Sequence, residues 1–341
     1  MDFFTSPPMP RSFILLLFFP LLSSIAIAGS PPKKTGSGIF DLLPGDTVRK
    51  PVRDVAGKPC WDNPNLAGVV LRTNWAKLEP SENEYDWTYL DTGVARAQAT
   101  NKKIAISVQA GVNSPEWIYA LGAERIKIPG FGTMPLPWDS VFQKNWESLV
   151  KQLGARYDGV SVVAYVTMGG PGRWEELYVC SSADSVRDFN RDGGTQPWTQ
   201  AAEAIMEMYA AAFPNTPFLY AYGSPVAHPT SSVPFSDITT YGVNKYPKRF
   251  GIKSDALHPN MSPSFWPNVD IPALSSSTTV GYQMLKVFAG SSVDGGSLKE
   301  ALNFGISEKT HFIEVYDRDC NDPKEQSTIS AVNKQLLSDY P

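Results

Sequence analysis

The chain has 341 residues, 42% hydrophobic and 12% aromatic, enough apolar material for one large core or two smaller ones. Lys plus Arg is 30 and Asp plus Glu is 34, for a net charge of -4. That balance excludes the basic field that nucleic acids and anionic membranes call for.

At the N-terminus, Arg11 precedes the apolar run Phe13–Ile27, which closes on Ala26-Ile27-Ala28. A positive n-region, a short apolar h-region and a small-x-small site form a signal peptide over residues 1–28. The run is too short, and too broken by Pro20, for a comfortable membrane span. Cleavage after Ala28 is expected, giving a secreted or periplasmic protein with no membrane attachment afterwards. Residues 29–37, rich in Gly, Pro and Ser, then read as a flexible tail.

From residue 38 onward, short β-rich runs alternate with stretches of helical length. The candidate strands are Gly38–Leu43, Gly68–Trp75, Ile104–Ala110, Val160–Met168, Phe218–Gly223, Phe250–Leu257, Thr279–Leu285 and His311–Tyr316. Helix-like segments include Thr88–Asn101, Ser140–Tyr157 and Thr199–Phe213. Eight strands with helical returns have the size and rhythm of a single (β/α)8 TIM barrel over 38–341. A doubly wound sheet is the alternative, but it calls for an early glycine-rich phosphate turn, and neither GxGxxG nor GxxxxGK[ST] occurs. Of three cysteines, Cys60 follows the first candidate strand and Cys320 the last. A barrel pairs its first and last strands, so Cys60–Cys320 is the expected disulfide, with Cys180 left over; three free thiols are the alternative. Asn260-Met261-Ser262 is a glycosylation sequon, of meaning only in a suitable host.

The stretch Arg72-Thr73-Asn74-Trp75-Ala76-Lys77-Leu78-Glu79-Pro80, followed by Tyr85-Asp86-Trp87 and Leu90-Asp91, resembles the R-x-x-W-x-x-(L/I)-E-P…Y-D-W…L-D signature of the clan A glycoside hydrolases. The resemblance is closest to the β-galactosidase-type barrels of glycoside hydrolase family 42. Ser114-Pro115-Glu116-Trp117 is similar to the S-P-x-W found there, and the likeness fades from Thr195 onward. It implies an O-glycosidase that needs a carbohydrate substrate and no cofactor, with one carboxylate as acid/base and one as nucleophile. A non-catalytic carbohydrate-binding barrel is the competing class.

The resemblance places the acid/base after the fourth strand, where Ala164–Glu176 runs from apolar strand through a Gly/Pro turn to Glu175 and Glu176. Glu176 is preferred, although the family's usual Asn-Glu pair is absent and the turn is longer. Glu314 stands alone in the apolar strand Phe312–Tyr316, and a buried lone Glu is costly enough to need a reason. Glu314 is therefore the candidate nucleophile, yet it falls on the eighth strand, whereas the family keeps its nucleophile on the seventh. The seventh carries Tyr282-Gln283. Either the count is off by one, or Gln283 binds substrate while Glu314 serves from the neighbouring strand, or the nucleophile is lost. Arg72, mid-strand, needs a partner and is expected to hold a carboxylate. Asn113, Trp75, Trp117, Trp266, Tyr282 and Gln283 are candidate sugar contacts. Glu79-Pro80 is expected to fix the loop rather than react, and Asp86 to cap a helix. His228, His258 and His311 lie far apart with no ligand spacing, so no metal site is expected. No GxSxG elbow is present.

Overall fold

Runs of β-branched and aromatic residues, too short for helices, form ten strands among the residues described by the computed structural model. These are residues 36–170, 172–173, 179, 183–221, 233–259, 261, 271–289 and 296–341. The expected signal peptide, most of the expected tail, Cys180, Glu175, Glu176, Trp266 and the sequon's Asn260 and Ser262 lie outside them. The strands are β1 (Gly38–Leu42), β2 (Gly68–Asn74), β3 (Lys103–Gln109), β4 (Arg125–Ile128), β5 (Gly132–Pro135), β6 (Val163–Met168), β7 (Phe218–Ala221), β8 (Phe250–Leu257), β9 (Thr279–Met284) and β10 (Phe312–Tyr316). Eight of them close into a parallel barrel in the order β1–β10–β9–β8–β7–β6–β3–β2. The (β/α)8 expectation holds, with every expected strand present. Only β4 and β5, an antiparallel hairpin between β3 and its return helix, went unread.

The fourth barrel strand starts at Val163 rather than Val160 because the preceding residues turn out of a helix. The Val160 amide donates to Tyr157 O and the Val163 amide to Val160 O. The helix Thr195–Ala212 begins four residues before the expected Thr199. Pro197 lies in its first turn, where a missing N–H breaks no intrahelical bond.

Alternate strand residues point in and out. The inward set builds an apolar floor from Phe40, Val70, Ala105, Tyr165, Leu219 and Phe312. Two glycines make room for it. A Cβ on Gly281 would lie 1.9 Å from the Phe312 ring, and one on Gly68 would lie 2.4 Å from the Phe40 ring. Two residues further along their strands, the inward positions become polar: Ser107, Thr167, Lys253, Gln283 and Glu314, all buried. The outward set packs against the helices. In the helix Ser140–Tyr157, for example, Phe142, Trp146, Leu149, Val150 and Leu153 are buried, and Asp139 caps the N-terminus by accepting from the Phe142 amide at 2.8 Å.

The seam closes where β1 pairs with β10, Gly38 opposite Phe312 through Leu42 opposite Tyr316. Asn333, on the last helix (Gln326–Asp339), reinforces it by accepting from the Ile39 amide at 2.7 Å. The disulfide expected at this seam does not form: Cys60 and Cys320 are both free, buried thiols. Cys320 sits in a helical turn that continues β10 directly, so its thiol folds back to donate to Val315 O at 3.3 Å.

Asp41 lies beside Cys320 on the outward face of β1 and is fully buried. Asn321 Nδ2 donates to one of its oxygens at 3.3 Å, and the other has no hydrogen-bond partner among the described residues. Burial first, and the nearby Asp317 carboxylate second, hold its carboxyl well above the usual carboxylate range. The folded state therefore keeps this proton to higher pH than the unfolded state does. Stability is full below the ordinary carboxylate range and falls as pH rises through the folded value. Asp41→Asn removes the ionisation, so the variant should be more stable than the parent at pH 7, by about 1–3 kcal/mol. The two should converge near pH 4, as read by denaturant unfolding across that range.

Candidate active site

The C-terminal ends of the strands carry the polar residues. In β10, Phe312 fills the floor, and Glu314, two residues on, stands above it with no exposure. Its Oε1 accepts from the Tyr165 hydroxyl at 2.8 Å and its Oε2 from Lys253 Nζ at 2.9 Å. The Lys253 ammonium can only donate, so it gives Oε2 a charge-assisted hydrogen bond. Lys253, equally buried, also lies 3.4 Å from Asp255 Oδ1, so two carboxylates share one ammonium. Lys253, Asp255 and Tyr165 were not picked out from the sequence. The signal was there in β8, where Lys253 and Asp255 stand two apart, on one face, in an otherwise largely apolar strand.

The strand count holds: β9 is the seventh barrel strand and β10 the eighth. Gln283 pairs in register with Glu314 and shares its inward face. Tyr282 is the correction. As Gln283's neighbour it must point the other way, and it is fully buried in the layer between barrel and helices, with no face for a sugar.

On the opposite side of the mouth, Arg72 does not hold the carboxylate expected of it. Its Nε and Nη2 donate to the carbonyl of Leu43, just past β1, at 3.3 and 3.1 Å. A backbone carbonyl satisfies this half-buried guanidinium edge because β1 ends beside β2. Asn113 ends the short helical turn Gly111–Asn113 that follows β3. Asn74 Nδ2 donates to Asn113 Oδ1 at 3.5 Å, and Asn113 Nδ2 donates to Gln109 Oε1 at 3.4 Å. A row of amides thus crosses the ends of β2 and β3, while Asn74 Oδ1 caps the next helical turn through the Lys77 amide.

Trp75 is a second correction. It is fully buried, edge-on to Trp117, Phe142 and Trp146, and its indole N–H donates to Glu79 Oε2 at 2.7 Å. Trp117 is half-buried, and its indole donates to Glu79 O at 3.0 Å. Glu79 also accepts from the Asn83 amide. Its carboxyl is pushed above the usual range by burial, against the pull of the Trp75 indole. The Glu-Pro and tryptophan positions of the motif therefore fix the loop after β2. Asp86 accepts from the Thr88 amide at 3.2 Å and from Lys77 Nζ at 2.6 Å, capping the first turn from one residue before the N-cap position. Asp319 accepts from the Phe288 and Ala289 amides and so pins the chain after β9.

A parallel eight-stranded barrel with its polar groups at the strand ends is the architecture of clan A glycosidases. The chain resembles them, and within them the family 42 β-galactosidase-type barrels. The profile of that family, described as beta-galactosidase, matches residues 68–191, from β2 through the segment after β6. The catalytic domain of a beta-amylase from Paenibacillus polymyxa shares the fold at 12% identity and a TM-score of 0.59, over 90% of this chain and 100% of that one. A beta-glucanase from Saccharophagus degradans does so at 12% identity and 0.53, over 90% and 89%. The catalytic domain of the major endoglucanase from Xanthomonas campestris pv. campestris does so at 11% and 0.52, over 89% and 95%. At these identities the likeness is one of fold. No curated protein matches the sequence.

The Lys253–Glu314 pair gives a direct test of the site's electrostatics. Removing only the cation leaves a buried carboxylate with less compensation, so Lys253→Met should destabilise by about 3–5 kcal/mol. Adding Glu314→Gln to it should restore a large part of the loss, as measured by urea unfolding of the single and double variants.

Proposed function

We propose that this chain is an exported glycoside hydrolase that cleaves O-glycosidic bonds, with β-galactosides the first substrates to try. The observation that carries the reading is the setting of Glu314. It is a carboxylate turned into a glycosidase-like barrel, held as an acceptor by Lys253 and Tyr165 above an apolar floor. Glu176, or Glu175 beside it, protonates the leaving oxygen. Glu314 attacks the anomeric carbon, and the acid, now a base, activates the water that releases the sugar. This sequence retains configuration and calls for a carboxyl separation of about 5–5.5 Å. Gln283 and Asn113 offer amides to sugar hydroxyls.

One observation favours a second reading, a barrel that binds carbohydrate without cleaving it. Gln283 occupies the seventh strand, where the family carries its nucleophile.

A panel of aryl glycosides, galactosides first, separates the two. Glu176→Gln should lower kcat by about 10²–10⁴-fold. Glu314→Gln should lower it by on the order of 10³-fold or more. Glu314→Gly should regain turnover with added azide or formate, which a purely structural role would not allow. Sugar binding that persists in a parent without turnover on any glycoside favours the binding barrel.

A further inference from the structure

A cleft of about 670 Å³ opens beside the barrel mouth, between the segment 44–58 and the ends of β2 and β3. Its charged and amide lining is Lys50, Arg53, Lys58, Arg72, Asp54 and Gln109. Four cations and one acid line it, in a chain whose acids outnumber its bases 34 to 30, and Lys58 is also drawn to the Asp317 carboxylate outside the lining. None of the four makes an ion pair among the described residues. Asp54 is committed to its own turn, where it accepts from the Gly57 amide at 2.8 Å. Arg72 donates from Nε and Nη2 to Leu43 O, and its remaining edge has no partner among the described residues.

The segment that carries Lys50, Arg53 and Lys58 is stitched to β2, so the backbone beneath these cations is held. The Asp46 amide donates to Arg72 O at 2.8 Å, the Thr73 hydroxyl donates to Asp46 O at 3.0 Å, and the Val52 amide donates to Asp46 Oδ1 at 2.7 Å. Like charges gathered in a concave site repel one another, and a bound anion offsets that repulsion.

We propose that this cleft binds the acidic groups of a glycan, carboxylate or sulfate, and so gives the enzyme a preference for anionic over neutral carbohydrate. The proposal rests on the glycosidase reading for its choice of a sugar. Arg72 and Gln109 are inward residues at the strand ends, so the cleft runs into the mouth that the reaction would use. The Gln109 and Asn113 amides supply partners for the hydroxyls.

Isothermal titration calorimetry tests this without requiring turnover. The ligands are a neutral galacto-oligosaccharide, an oligogalacturonate and a sulfated galacto-oligosaccharide of equal length, each at low and high salt. The parent should bind at least one acidic ligand roughly tenfold more tightly than the neutral one, the advantage that two partly exposed charge contacts supply together. That ratio should shrink as salt screens it. A preference in the uronate arm assigns a carboxylate and one in the sulfate arm a sulfate ester; either supports the proposal. In the double variant Lys50→Gln/Arg53→Gln, whose side chains are exposed, the ratio should fall to about one with the melting temperature held. Equal affinity for all three ligands, or a preference that survives in the double variant, overturns it. If no glycoside is hydrolysed while the acidic preference is measured, the catalytic reading fails and the cleft assignment stands.

Discussion

The barrel has to accommodate a carboxylate at its centre. Glu314 has no contact with solvent, and an unpaired buried anion costs several kcal/mol. Two donors from distant parts of the chain, Tyr165 on β6 and Lys253 on β8, converge on its two oxygens. Three of the eight strands are therefore tied through one charge. The parallel register that lets them meet also sets the floor beneath them. Gly281 yields its volume to Phe312, and Phe312 packs on Tyr165 at 4.6 Å between ring centroids. The phenol that stacks on the floor is the one that donates to the carboxylate, so apolar packing and polar contact fix the same side chain.

This division of the interior, apolar below and polar above, follows from the two-residue repeat of the strands. In four of the eight strands an inward position near the start is small or apolar and the next one along is polar: Ala105 and Ser107, Gly251 and Lys253, Gly281 and Gln283, Phe312 and Glu314. The lower layer gives water exclusion and rigidity. The upper layer can afford charge because its partners are held within one barrel circumference.

Much of this is legible along the chain, because strand runs and lone charges are local features. Glu314 stands out by being the only charge in its strand, and the eight strands by their alternation with helical stretches. The pairings are not legible, since Tyr165 and Lys253 lie 149 and 61 residues from Glu314 in sequence and meet it only through closure. Facing is the other gap. Tyr282 and Gln283 looked alike as strand-end sugar contacts, yet adjacent residues of a strand cannot share a face. Trp75 belongs to the motif that carries the family resemblance, but its indole serves Glu79 and three aromatic neighbours. Arg72 was expected to need a carboxylate, and a carbonyl at the end of β1 met that need instead.

Glu314, an inward carboxylate, stands on the eighth barrel strand, and its register partner on the seventh is Gln283. Gln283 and Glu314 are register partners, so an acid at 314 is displaced by one strand spacing, about 4.8 Å, from where an acid at 283 would stand. That displacement is as large as the step between the carboxyl separations of retaining and inverting glycosidases. In the proposed mechanism, retention requires the acid from the loop after β6 to stand correspondingly closer to β10. In the sequence, Gly169, Gly170 and Gly172 precede Glu175 and Glu176 in the loop after β6. Asp255 offers the opposite solution. It shares Lys253 with Glu314, so a second carboxylate already stands at the site without any contribution from that loop. The two arrangements differ in what Lys253 does. With Asp255 as a spectator, Lys253 only neutralises Glu314. With both acids charged, one ammonium offsets two like charges at once.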